Sequence, residues 1–206
     1  MALTLLMVTL GATTQVFQSA SSAIEAQDVR AQTVEKLNRA MRTMLQDLKF
    51  SGNVNVGSRN FPVLFDNGNA DAAFSIHSHA PPNNSAGGTV AERAAIFLLI
   101  EDGNNDGTPD IGSDGNPIWS SDELSYVLLP QQDGRNRIER RINGVFDDLI
   151  LSNVDTMLID DRTTSGFAVP FGSLRITLTA STLDSDGRRF TETVAGLVSL
   201  RNSTGF

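Results

Sequence analysis

The sequence predicts an α+β fold: a long protruding N-terminal helix packed by its C-terminal half on a mainly antiparallel β-sheet head. Three observations carry this. Residues 1–50 contain no proline and a single glycine, Gly11, so nothing interrupts a helix there. From Ser51 onward, short apolar runs alternate with Gly, Asn, Asp and Pro, the pattern of strands and turns. The whole chain has 206 residues, enough for one domain with a core and one extension. The expected division is therefore a helix over 1–50 and a β-rich head over 51–206.

The first part of the helix is apolar on every side. Leu3, Leu5, Leu6, Val8, Leu10, Val16 and Phe17 stand in it, and no charge appears before Glu25. Such a helix belongs in a membrane or inside an assembly. It is shorter than the ~20 residues that span a bilayer, and it lacks the basic start of a signal peptide. It reads as the latter part of a membrane segment; the alternative is a buried core helix. Gly11 and the small-residue run Ser19-Ala20-Ser21-Ser22-Ala23 would let helix backbones approach closely.

Beyond Arg30 the pattern changes. Val34, Leu37, Met41, Met44 and Leu48 recur at spacings of three and four, while Glu35, Arg39, Arg42 and Asp47 lie off that stripe. Residues 25–50 should pack on the head, leaving 1–24 as the membrane or filament-core part. Length supports the split. A helix of about 48 residues is about 70 Å long. A head of about 150 residues is only about 35–40 Å across. Roughly half the helix must protrude, and the apolar half needs a membrane or identical neighbours.

In the head, residues 94–100 form a near-continuous apolar run and predict a central, covered strand. Residues 124–129 and 136–142 predict a hairpin turning at Asp133-Gly134. Residues 156–160 are a short candidate, and 174–179 joins a last strand over 190–200 through an Asp184-Ser185-Asp186-Gly187 turn. Residues 149–154 read either as a loop crossing under the sheet or as a short strand. Short turns imply antiparallel pairing. No internal repeat, βαβ rhythm or nucleotide-binding glycine motif is present.

A net charge of −8 and a pI near 4.7 disfavour nucleic acid as a partner and favour cations. The absence of cysteine excludes disulfides, cysteine-ligated zinc and thiol catalysis. His77 and His79 are the only histidines; no third metal ligand is close in sequence, and no nucleophile–His–acid grouping stands out. The chain therefore reads as no enzyme. Trp119 and Tyr126 read as packing residues, and Asp147-Asp148 and Asp160-Asp161 as solvated loop ends.

The strongest local motif is 102–110. Asp102, Asn104, Asp106 and Asp110 put side-chain oxygens at positions one, three, five and nine, Gly107 allows a sharp turn at six, and Thr108 offers its carbonyl. Calcium wants six to eight hard oxygens, and Asp114 or Glu101 would complete the shell. Ser113 stands at position twelve in place of a bidentate Glu. The expected cofactor is a structural Ca2+; the alternative is an acidic turn that binds nothing.

Several segments resemble the prepilin-type family. The junction Met44-Leu45-Gln46-Asp47-Leu48-Lys49-Phe50-Ser51-Gly52 resembles that family's helix end, an aspartate–leucine–basic run followed by glycine. Leu124-Ser125-Tyr126-Val127-Leu128 and Ile138-Glu139-Arg140-Arg141-Ile142-Asn143-Gly144 are similar to its tyrosine strand and arginine-bearing return strand. Residues 149–154 are similar to the segment that follows, and Val198-Ser199-Leu200-Arg201-Asn202 to its chain end. The nearest relatives by this resemblance are W-type minor pilins and the J-type minor pseudopilins of type II secretion. The family's processing site, a glycine before a phenylalanine-threonine-leucine start with a glutamate at the fifth mature position, is absent. Met1 would then lie inside the mature helix. The resemblance implies a structural subunit of a type IV pilus or type II secretion filament. It would wait in the bacterial inner membrane and then join other pilin or pseudopilin subunits in a periplasmic or extracellular filament. The alternative is a helix-anchored, calcium-dependent extracellular binding module.

Overall fold

Helix α1 runs without a break from Ala2 to Leu48 in a computed structural model. The structure describes residues 2–52, 54–56, 59–66, 93–103, 108, 110–131, 135–160, 169–170 and 172–200. Hydroxyl residues inside the helix turn back on the backbone. Thr14 donates to the Leu10 carbonyl at 2.8 Å and Thr33 to that of Val29 at 2.8 Å, so each hydroxyl finds its partner within the helix by sharing a carbonyl of the ladder. The last turn tightens: the Ser51 backbone N–H and hydroxyl both donate to the Leu48 carbonyl, at 3.0 and 2.7 Å. Ser51 is buried, and the Ile100 N–H donates to the Phe50 carbonyl at 2.7 Å. The helix end is thus stitched to the sheet.

Among the described residues nine strands follow: β1 (Val54–Val56), β2 (Arg59–Phe61), β3 (Val63–Asp66), β4 (Arg93–Ile100), β5 (Trp119–Pro130), β6 (Asn136–Ile142), β7 (Val145–Asp160), β8 (Ser173–Leu183) and β9 (Arg189–Ser199). Strands β3 to β9 form one seven-stranded sheet in sequence order, every pair antiparallel; β1 and β2 form a separate hairpin. This meander is the α+β arrangement expected from the sequence.

The sheet has two apolar layers. On one face Leu37, Ala40, Met41, Met44 and Leu48 of α1 meet Phe97, Leu124, Tyr126, Ile138, Leu174, Ile176 and Leu178. On the other face the β1–β2 hairpin brings Val54 and Phe61 onto Ile96, Leu98 and Val127, with Trp119 packed beside them. Trp119 is therefore a packing residue. Strand β4 is covered on both faces, as its apolar run predicts, but it lies next to the edge strand β3 rather than centrally. The buried Glu139 carboxylate is held by Arg137 at 2.7 Å and Arg141 at 2.9 Å.

Strand β7 corrects the expectation for 149–160. No loop crosses under the sheet: 149–154 and 156–160 are both strand, as one of the two readings of 149–154 and the reading of 156–160 expected, but they are parts of a single longer element. One 16-residue strand covers the region, paired with β6 from Val145 to Val154 and with β8 from Val154 to Asp160. Register shifts along it and a positive φ of 59° at Asn153 break the two-residue alternation, which hides the strand in the sequence. Asp147 and Asp148 accordingly lie on β7 and not at a loop end. The turn before it is Asn143-Gly144, with φ of 51° and 78°, an Asn-Gly hairpin connection of the primed type. The Asp184–Gly187 turn is a hairpin turn as expected: Gly187, at φ 75°, donates its N–H to the Asp184 carbonyl at 3.0 Å.

Candidate functional site

Among the described side chains, the front half of α1 is bare. Met7 is 67% exposed, Leu10 68%, Val16 69%, Phe17 78% and Ile24 63%. Leu3, Leu5, Leu6 and Val8 belong to the same helix, but their side chains lie outside the described residues. Among the described residues no helix is long and apolar enough to cross a membrane. The helix meets the head around Glu25, which accepts a hydrogen bond from the Ser185 hydroxyl at 2.8 Å. Arg30 pairs with Glu192 at 2.7 Å and lies over the Phe190 ring, 6.0 Å from its centre.

The rear half is fixed at two points. At the first, the helix crosses β9 at Gly196. A Cβ there would stand 2.8 Å from the Met41 sulfur and 2.9 Å from the Leu45 Cδ1, so the missing side chain sets how closely helix and sheet approach. The second is a polar clamp. One Asp47 carboxylate oxygen accepts from the Tyr126 hydroxyl at 2.5 Å and from the Arg140 Nε at 2.8 Å. Arg140 also bonds Asp147 on β7. The phenol is buried and its pKa is raised, first by that burial and then by the Asp47 charge. Burial pulls the Arg140 pKa down, but the carboxylates of Asp47 and Asp147 more than restore it and leave it raised. The helix end and the neighbouring strands β5 and β6, far from it in the sequence, therefore meet at one carboxylate. The sequence places Asp47 off the apolar stripe and Tyr126 in packing, and sets Asp47, Tyr126 and Arg140 in three separate family-like segments, without bringing them together. A carboxylate near a helix end, with a strand tyrosine and a return-strand arginine, was the available signal.

The acidic loop between β4 and β5 is closed at its base. Asp110 N–H donates to the Glu101 carbonyl at 2.8 Å, and Ile118 N–H donates to the Asp110 carbonyl at 2.9 Å. The Asp110 carboxylate folds back to accept the Gly103 N–H at 2.8 Å, and a Cβ on Gly103 would stand 3.1 Å from that oxygen. Asp102 and Thr108 stand in the same loop, while Asn104 and Asp106 lie outside the described residues, as do His77, His79 and Asp161. Asp114 builds a turn of its own. Its two oxygens accept from the Asn116 N–H at 3.1 Å and Nδ2 at 2.9 Å, and the side-chain bond first of all holds its pKa below the usual carboxylate value. Among the described residues no group of three or more Asp, Glu or His is gathered to hold a metal.

Comparison with models of known protein families, with characterised proteins and with solved structures finds no match.

Proposed function

We propose that the protein is a structural subunit of a bacterial pilus-like filament, a minor pilin or minor pseudopilin, held at the inner membrane by α1 before assembly and carrying no catalytic activity. One observation carries the reading: a single unbroken helix is clamped to the head by its rear half and presents Met7, Leu10, Val16, Phe17 and Ile24 to its surroundings with its front half. Leaving a large apolar side chain in water rather than burying it costs about 1.5–3 kcal/mol, so five on one helix call for lipid or for neighbouring helices. Exchanging lipid for equivalent helices is nearly neutral in hydrophobic terms, and close packing at Gly11 and the 19–23 run then selects the neighbours. The meeting of the Asp47, Tyr126 and Arg140 segments, each of which resembles a prepilin-type motif, supports the same reading.

The chain has no cysteine, so a single Phe17→Cys change gives one unambiguous cross-linking site. Expressed with its native neighbours, Phe17→Cys should form covalent ladders in the membrane and sheared-surface fractions, and Phe17→Asp should leave those fractions while the head melts at an unchanged temperature. A Phe17→Asp chain that still fractionates like the parent overturns the assignment. The loop at 102–110 is proposed to take a structural Ca2+. Calorimetry of the chain with calcium and with chelator should show a heat of binding and a raised melting temperature, and silence in both measurements removes the ion from the account.

A further inference from the structure

Helix α1 concentrates positive charge where it passes over the sheet. Arg30, Lys36, Arg39, Arg42 and Lys49 fall within 30–49, five of the chain's 16 basic residues. Arg30 is paired with Glu192. Lys36, Arg39 and Arg42 are exposed, and their charged side-chain groups have no hydrogen-bond or ion-pair partner among the described residues. Two open grooves flank them. One lies towards Arg30 and Glu192, the other towards residues 148–152 of β7, and Arg39 lines both. The three cations therefore form a ridge on the outward crest of the helix, opposite the side that Leu37, Met41 and Met44 bury.

The opposite charge is equally segregated. Between Arg93 and Arg135 there are eight Asp and Glu residues and no Lys or Arg. Glu101, Asp114 and Asp122 in this span are exposed. They follow Ile100, whose N–H is bonded to Phe50, so they cap the pole of the molecule where α1 ends. Asp114 is held ionised by Asn116. The crest lies below that pole by the rise of the helix from Arg39 to Phe50, about 15 Å. A contact between crest and pole of one chain is precluded, since both are fixed along the same helix. Two parallel copies displaced along the helix axis by about that rise bring one copy's pole to the other's crest.

We propose that the Lys36–Arg39–Arg42 crest of α1 docks the acidic pole of a second copy of this chain, carried by Glu101, Asp114 and Asp122. The contact is heterologous, crest to pole, and repeats along an axis without closing, which suits a filament. It deepens the proposed function and rests on it. The charges are exposed, so the contact directs register and weakens with salt.

The test follows self-association of the full chain in mild detergent by analytical ultracentrifugation, at about 50 mM and about 500 mM salt, with a Debye length several-fold shorter at the higher. Crest-reversed (Arg39→Glu with Arg42→Glu) and pole-reversed (Glu101→Lys with Asp114→Lys) chains should each associate at least tenfold more weakly at low salt. Mixing the two should restore association, and high salt should erase the differences. If the pole-reversed chain does not fold, Glu101→Gln with Asp114→Asn is the second variant, with the same direction of effect. Association unchanged in both variants overturns the docking, and if Phe17→Asp still abolishes association, the filament reading stands without it. Loss in crest and pole variants with none in Phe17→Asp keeps the docking and removes the filament reading. Loss in the crest variant alone, together with loss of binding to phosphatidylglycerol–phosphatidylethanolamine vesicles, assigns the crest to a lipid surface and also overturns the proposal.

Discussion

Met7 and Met44 are the same residue type on the same unbroken helix, yet Met7 is 67% exposed and Met44 is fully buried. Backbone hydrogen bonding is alike along α1, so helix formation does not separate the two halves. The distribution of charge does. In the rear half, Leu37, Met41, Met44 and Leu48 share a stripe with Glu35, Arg39 and Arg42 opposite, which marks one face for the sheet and one for water. In the front half no charge appears before Glu25, so no face is marked for water at all. A helix striped on one side is covered by its own domain; in the front half Met7, Leu10, Val16, Phe17 and Ile24 are left uncovered by it.

The sharpest way to break this contrast is to shorten both methionines. Met44→Ala should lower stability by about 2–5 kcal/mol, because it opens a cavity beneath the helix. Met7→Ala should change stability by no more than about 0.5 kcal/mol. Urea denaturation of the two variants measures both. Equal losses would mean that the front half is covered by its own chain, and the contrast would disappear.

The clamp sharpens the description of the rear half. Arg140→Met removes one partner of Asp47 and leaves the carboxylate beside a buried phenol. With about a quarter of each side chain exposed, water softens the loss, and about 2 kcal/mol of destabilisation is expected. The clamp also predicts a pH limit. The folded pKa of Tyr126 lies above its unfolded value of about 10, so its contribution is complete below that pH and is lost as the pH rises beyond it. The protein should therefore lose stability in alkali, and Tyr126→Phe should flatten that limb. Because Tyr126 is the only tyrosine, phenolate absorbance reports it alone. Phenolate appearing near pH 10 with the fold intact would show that Asp47 and burial do not hold the hydroxyl.

Legibility in the sequence followed regularity. The stripe at 37–48 and the alternation of 174–179 obey a single period, and both elements are where that period places them. Strand β7 was legible only in pieces, 156–160 and, in one reading, 149–154, because its bulges and Asn153 shift the register, so inward residues fall at Leu151, Val154, Met157 and Ile159. A spacing of three there imitates a loop or a helix. The Asn143-Gly144 turn was a readable hairpin signal, lying between 136–142 and the start of β7 at 145–148, which alone had no strand reading. The clamp was illegible for another reason: Tyr126 and Arg140 stand 79 and 93 residues from Asp47 in sequence, and nothing local records that they share its oxygen. The acidic loop was legible by composition, whereas its closure by Asp110 onto Gly103 comes from three-dimensional packing.

Gly196 offers a smaller, more local test of the clamped half. Its side-chain position is filled by Met41 and Leu45, so Gly196→Val forces both aside or lifts the helix. Overpacking of this kind costs about 1–3 kcal/mol. Met41→Ala placed on the same chain should recover part of the loss, since it vacates the contested space. Additive losses in the double variant would mean that helix and sheet do not touch there.

The border between the halves should show the smallest energy and the most informative location. Arg30 is 56% exposed and Glu192 20%, so their 2.7 Å pair is a surface ion pair despite its short distance. A double-mutant cycle with Arg30→Ala and Glu192→Ala should yield a coupling below about 1 kcal/mol, shrinking with added salt. Its structural effect should be larger than its energy. Ser185 with Glu25 and Arg30 with Glu192 and Phe190 hold the helix where its buried stripe gives out. With Arg30 removed, hydrogen exchange should speed up from the front half back towards Val34 and leave the amides around Met41 and Met44 unchanged. Faster exchange through Met44 would make the border pair a support of the whole helix. No change at all would place the border elsewhere and reduce the contrast between the halves to burial alone.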